Sequence, residues 1–249
     1  MSAPLVSLNG IQKTFANGTR ALDHLELAIM RGEFVSLLGP SGCGKSTALR
    51  IIAGLEQADA GTLTFDGGRP EIAFVFQDAT LMPWANVFDN VFLPLRLKGL
   101  SRQDANASVM DALVHVGLAD FVTSYPRELS GGMKMRVSIA RALVTKPTLL
   151  LMDEPFAALD EITRHRLNRD LLTLQADLDM SVIFVTHSVY ESAFLSSRIA
   201  IFSPRPGRIV ETITVAPTGA RTEEFRRTPT YLEACGKAAH ALELAMVGA

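Results

Sequence analysis

Nine consecutive residues, Gly39, Pro40, Ser41, Gly42, Cys43, Gly44, Lys45, Ser46 and Thr47, fit the pattern G-x-x-x-x-G-K-[ST] without a mismatch. Glycines let the backbone bend tightly and approach an anion with no side chain in the way. Successive N–H groups then point at phosphate oxygens, and a helix starting there adds partial positive charge. Lys45 can reach the β- and γ-phosphates of a nucleotide, and Ser46 offers a hydroxyl to Mg²⁺. A glycine-rich turn with no ligand leaves Lys45, Ser46 and Thr47 without a purpose.

Two further groups of residues extend that chemistry. Residues 149–154, Leu-Leu-Leu-Met-Asp-Glu, are four apolar residues ending in two carboxylates. Asp153 is suited to hold Mg²⁺ and Glu154 to polarise an attacking water, provided Glu154 faces the γ-phosphate rather than the metal. Two solvated acids at the end of a core strand are the plainer reading of these residues alone, and the phosphate loop upstream weighs against it. Leu129-Ser130-Gly131-Gly132-Met133 precedes a helical run. Ser130 is placed to cap that helix, and its hydroxyl with the Gly131 and Gly132 amides makes a second anion-binding helix N-terminus. One phosphate loop has no need of a second such site, unless this one closes over a nucleotide held by another copy of the chain.

These groups need strands and helices to position them. Residues 34–38 read as a buried parallel strand entering the loop, and residues 47–55 as the helix leaving it, ending near Gly54. Residues 5–8 and 25–29 alternate like strands around the turn Asn17-Gly18, and 62–65 and 72–76 are further short strands. From residue 87 to 129 the pattern turns helical, as in 102–116 with Val109, Leu113 and Val116, punctuated by Pro94 and Gly99. Strands return at 149–152 and 182–186, on either side of a helix over 161–178 with Leu167, Leu171, Leu174 and Leu178 on one stripe. A hairpin is expected over 199–202 and 209–213, and a terminal helix within the tail 221–249. The chain is therefore read as one α/β domain over 1–249, with an antiparallel β subdomain and a helical subdomain inserted at 87–140.

The bulk composition agrees. The 249 residues are 48% hydrophobic and 20% charged, an ordinary globular balance. A net charge of −2 and no dense basic patch predict no nucleic-acid partner. Two cysteines, Cys43 and Cys235, make neither a disulfide framework nor a metal cluster and fit a reducing cytosol. The N-terminus lacks the layout of a signal peptide, and no apolar run approaches the length needed to cross a bilayer. Cys43, beside Lys45 at a helix start, is expected to favour thiolate.

The combination of Leu129–Gly132 with a phosphate loop and a strand ending in Asp-Glu resembles the nucleotide-binding subunit of an ATP-binding cassette (ABC) transporter, from about residue 5 to 210. The resemblance implies a P-loop NTPase core of the ABC ATPase type that hydrolyses ATP with Mg²⁺. It implies a head-to-tail dimer of two copies, each ATP held by residues 39–47 of one and Ser130, Gly131 and Gly132 of the other. It assigns Phe15 to stacking on adenine, Gln77 to sensing Mg²⁺, Asp160 to a dimer-contact loop and His187 to the γ-phosphate. Asp160 also reads simply as the N-cap of the next helix, and Phe15 as a core residue. Met133, Met135 and Ala157 depart from the family pattern without removing a catalytic group. Residues 77–84 and 203–209 resemble importers of nitrate, sulfonates, taurine and related solutes. That resemblance implies a groove near residues 77–84, rimmed by Pro83 and Trp84, for a membrane permease. It also implies an extracytoplasmic solute-binding protein as an indirect partner, and a place on the cytoplasmic face of the cell membrane. Trp84 packed inside the helical insertion is the competing reading. Exporter-type or non-transport ABC ATPases share the core, and a P-loop kinase or GTPase would explain residues 39–47 alone.

Overall fold

A computed structural model describes residues 3–216 and 221–247. In chain order the elements are β1 (Val6–Thr14), β2 (Arg20–Ile29), β3 (Phe34–Leu38), α1 (Lys45–Ala53), β4 (Ala60–Phe65), β5 (Ile72–Val75), α2 (Val87–Leu97), α3 (Arg102–His115) and α4 (Gly131–Leu143). Then follow β6 (Leu149–Asp153), α5 (Glu161–Asp177), β7 (Ser181–Thr186), α6 (Val189–Leu195), β8 (Arg198–Phe202), β9 (Ile209–Thr214) and α7 (Pro229–Val247). Two compact units arise, one from Met1–Pro70 with Asp179–Ala249, the other from Glu71–Leu178.

The first unit holds an antiparallel sheet in the order β2-β1-β4, which is the expected β subdomain. β1 and β2 run further than their apolar stretches suggested. The added polar positions are satisfied within the sheet or its loops: Lys13 pairs with Glu56 at 2.7 Å, and Asp23 takes both Arg20 and Arg208. A second group of strands centres on β3, parallel to β7 and to β8, with β9 antiparallel to β8 across the expected hairpin. Every residue of β3 and β7 is buried, which is why both read as continuous apolar runs rather than alternating ones. α6 and α7 pack together, and α7 also lies against β8 and β9. The tail is thus a packed helix, its last two residues lying outside the described ones.

In the second unit β5 runs parallel to β6, pairing Ile72 with Leu149 through Val75 with Met152. α2, α3 and α4 pack on one another and α4 on β5. In this unit four helix starts use the same device, a side-chain oxygen accepting the amide three residues on. Asn86 takes Asp89, Ser101 takes Asp104, Ser130 takes Met133 and Asp160 takes Thr163. α5 buries Leu167, Leu171 and Leu174, as its stripe predicted, while Leu178 beyond its end is half-buried.

Candidate functional site

In the first unit, β3 delivers the chain into the loop of residues 39–44 and α1 leaves it at Lys45. The helix begins two residues earlier than its apolar pattern suggested, because Gly44 makes the turn. Gly44 has φ +110, and a Cβ there would lie 2.5 Å from the carbonyl oxygen of Ala21. No side chain caps α1 and no acid sits in its first turn, a helix start suited to an external anion. Lys45 is 3% exposed, and its ammonium donates to the carbonyls of Gly39 and Pro40, both at 2.8 Å. Ser41 and Gly42 are exposed, whereas Ser46 and Thr47 are half-buried. The loop is braced from outside by Arg205, whose Nε and Nη2 donate to the Gly42 carbonyl at 3.0 and 2.9 Å.

Cys43 corrects an expectation. Burial, at 1% exposure, raises its thiol above the usual range, and the nearby Lys45 does not offset that. Thiolate is disfavoured, because removing the anion from water costs more than one neighbouring ammonium returns. Phe15, just past β1, is half-buried rather than core, with Lys13 Nζ 5.7 Å from its ring centre. His187 follows β7 directly and is exposed. The neighbouring backbone is fixed: Thr186 Oγ1 donates to Glu191 at 2.6 Å and accepts the Ser188 amide at 3.0 Å.

In the second unit, Asp153 ends β6 and is buried, and Glu154 follows, half-buried, with φ +47. A glutamate in the left-handed region costs on the order of 1 kcal/mol or more and points to a site where direction of the side chain matters. Asp160 serves as the N-cap of α5, accepting Thr163 N–H at 3.0 Å; that hydrogen bond holds its carboxyl below the usual range. Ser130 caps α4 as expected, its hydroxyl accepting Met133 N–H at 3.3 Å, with Gly131 exposed and Gly132 half-buried beside it. Gln77 lies just past β5 and is exposed.

Two residues that the sequence reading passed over organise the segment after Gln77. Asn90 of α2 is fully buried; it accepts Met82 N–H at 2.7 Å and donates to the carbonyls of Met82, Ala85 and Asn86. Arg141 of α4 donates to the carbonyls of Ala79 and Thr80 at 2.9 and 3.0 Å and to Thr80 Oγ1 at 3.1 Å. Thr80 itself sits at φ +45, a rare conformation for a β-branched residue. The available signals were an asparagine amid the apolar residues of α2 and an arginine on the buried side of α4.

Next to this segment lies a cavity of about 540 Å³, lined by Phe74 and Phe76 near β5, Leu93 and Leu97 of α2, and Thr80 and Arg141. Pro83 and Trp84 are not among the residues lining it. Trp84 is 77% exposed and does not pack inside the helical insertion.

Among the described residues no three His, Cys, Asp or Glu side chains form a metal cluster. Mg²⁺ is usually bound by one or two protein oxygens together with phosphates rather than by an all-protein cage. The Ser46 hydroxyl at the start of α1 and the buried Asp153 carboxylate are oxygen donors of the required hardness.

The family model described as ABC transporter matches residues 22–157. The taurine import ATP-binding protein TauB of Rhizobium johnstonii is 44% identical over 201 residues, 79% of this chain and 77% of that protein. The aliphatic sulfonates import ATP-binding protein SsuB of Bacillus cereus is 41% identical over 232 residues, 89% of this chain and 91% of that protein. A solved ATP-binding cassette, in a dimeric post-hydrolysis state bound to ADP and Pi, superposes with a TM-score of 0.76 at 32% identity, covering 85% of this chain and 99% of that one. With an uncapped phosphate loop in one unit, a strand ending in Asp153 in the other and these similarities across its length, the chain belongs to the ABC transporter family, as one of its ATP-binding subunits.

Proposed function

We propose that this subunit hydrolyses ATP to drive import of a small solute of the sulfonate, taurine or nitrate kind. The observation that carries the ATPase part is the phosphate loop, where a buried ammonium rests on its own loop carbonyls above an uncapped helix. In this reading Lys45 exchanges the carbonyls of Gly39 and Pro40 for β- and γ-phosphate oxygens, and residues 39–47 wrap the phosphates. Phe15 stacks on adenine. Ser46 and Asp153 would hold Mg²⁺ and Gln77 would sense it, and the ion when bound would supply charge neutralisation at the phosphates.

Glu154 accepts a proton from the attacking water as its oxygen bonds to the γ-phosphorus and the bridging oxygen departs with ADP. His187 holds the γ-phosphate. Ser130, Gly131 and Gly132 of a second copy complete the donor set, and Asp160 lies in the loop that meets that copy. Fixed donors aimed at developing charge are the largest usual source of such acceleration. Closure of the two copies on ATP, and opening after phosphate loss, would move permease helices docked in the cavity beside Thr80 and Arg141. The similar names of the relatives support the importer, together with a place on the cytoplasmic face of the membrane and an extracytoplasmic binding protein that hands over the solute.

Replacing Glu154 tests the chemistry. Glu154→Gln is expected to lower kcat by about 100-fold or more while ATP still binds. A normal rate in that variant removes Glu154 as the base. Purification from native membranes in mild detergent tests the transport reading: a multi-span permease should accompany the chain, and recovery with no membrane partner would move the ATPase to another role.

A further inference from the structure

Within the first unit, a second cavity of about 570 Å³ opens between the β8–β9 turn and the last turns of α7. Its size falls in the range of roughly 300–1,000 Å³ typical of small-molecule sites. Pro204, Val210 and Leu244 supply apolar surface, and Arg205, Arg208 and Glu211 supply charge. Val210 and Leu244 remain 50% and 58% exposed, so apolar surface facing this space is still in contact with water.

The charges there are unevenly matched. Arg208 shares the buried carboxylate of Asp23 with Arg20, so two guanidiniums rest on one acid. Arg205 has no carboxylate partner among the described residues, and both of its bonds go to a single neutral oxygen, the Gly42 carbonyl. An exposed guanidinium held this way gains from a real anion, because a carboxylate or sulfonate adds the attraction of a full opposite charge and a bidentate geometry that a single carbonyl lacks. The turn that carries it is preorganised: Ser203 Oγ donates to the carbonyls of Pro204 and Pro206 and accepts Arg208 N–H at 3.0 Å. It is also pressed against the phosphate loop, since a Cβ on Gly207 would lie 2.2 Å from the Cys43 carbonyl oxygen.

We propose that this cavity binds a small amphiphilic organic anion, its charged head on Arg205 and its apolar body against Val210 and Leu244, and that binding weakens ATP at the phosphate loop. The head draws Arg205 away from Gly42, and the loop loses its external brace. The inference rests on the reading that residues 39–47 hold ATP. By linkage, the anion and ATP must weaken each other by the same factor.

The test titrates the full chain with hexanoate, using hexanol and sulfate to separate apolar body from charge, and measures ATP affinity with and without each. Hexanoate is expected to bind saturably below about 10 mM, with hexanol and sulfate showing no saturation in that range. Saturating hexanoate should weaken ATP by about fivefold or more, with ATP weakening hexanoate equally. Arg205→Gln should lose hexanoate binding and the coupling together. Leu244→Asp, at an exposed position, should lose hexanoate binding yet keep the ATP affinity of the unmodified chain. Hexanoate binding no tighter than hexanol or sulfate overturns the proposal, as does binding that leaves ATP affinity unmoved or coupling that survives Arg205→Gln. Absence of ATP binding without any hexanoate would be a separate result, against the ATPase reading itself.

Discussion

The thiol of Cys43 lies 3.7 Å from the Lys45 ammonium, inside a loop suited to anions. Position in the sequence argues for a reactive thiolate, and burial argues against it. Burial is the larger influence and raises the thiol. In a Cys235→Ala background, iodoacetamide at pH 8 should therefore alkylate Cys43 at least about tenfold more slowly in the folded chain than in urea, since thiolate fraction and access both fall. Faster reaction in the folded chain would mean that the ammonium dominates. Glu154 makes a complementary point at the same scale. Its residue type and place after a buried strand were legible in the sequence, but its left-handed backbone was not, because nothing in Met-Asp-Glu-Pro signals a positive φ at a non-glycine.

The segment from Ala79 to Asn86 has little regular structure, yet it is held from two helices. Asn90 satisfies one amide and three carbonyls of its residues from α2, and Arg141 holds Ala79 and Thr80 from α4. Asn90→Ala would take away the side-chain partner of the Met82 amide and the Ala85 carbonyl, while the Met82 and Asn86 carbonyls keep the N–H groups of Ala85 and Asn90, and urea unfolding should show a loss of about 1–3 kcal/mol. A loss within about 0.5 kcal/mol would mean that water or a shifted loop replaces the amide. Periodicity revealed the helices and their caps well, as Ser130 and the Leu167, Leu171 and Leu174 stripe demonstrate. It under-read β1 and β2, whose ends are polar and kept in the sheet by Lys13, Asp23 and their ion pairs. The partners of Arg141 and Arg205 were illegible because both act on backbone oxygens distant in sequence, whereas Asn90 reaches back only within its own helix start and the turn before it.

Across the molecule, buried proton-releasing groups set the alkaline limit of stability. Burial raises the thiols of Cys43 and Cys235 above 9.0 and the Tyr231 hydroxyl well above 10.0. For each, the folded chain keeps its proton where the unfolded chain releases it. Their contribution is therefore complete below the unfolded value and is lost as pH rises toward the folded one. Arg221 acts in the opposite sense: burial lowers it to about 10, so above that value the unfolded chain binds the extra proton and stability gains with pH. Between about pH 8 and 9 the unfolded thiols begin to release protons while the unfolded Tyr231 hydroxyl and the folded Arg221 remain mostly protonated, so the thiols dominate that window. The urea midpoint should hold steady over about pH 6–7 and fall from about pH 8. A Cys43→Ala, Cys235→Ala chain should be less stable overall but show a flatter profile across the same window. An identical slope with and without the thiols would assign the alkaline loss to other groups.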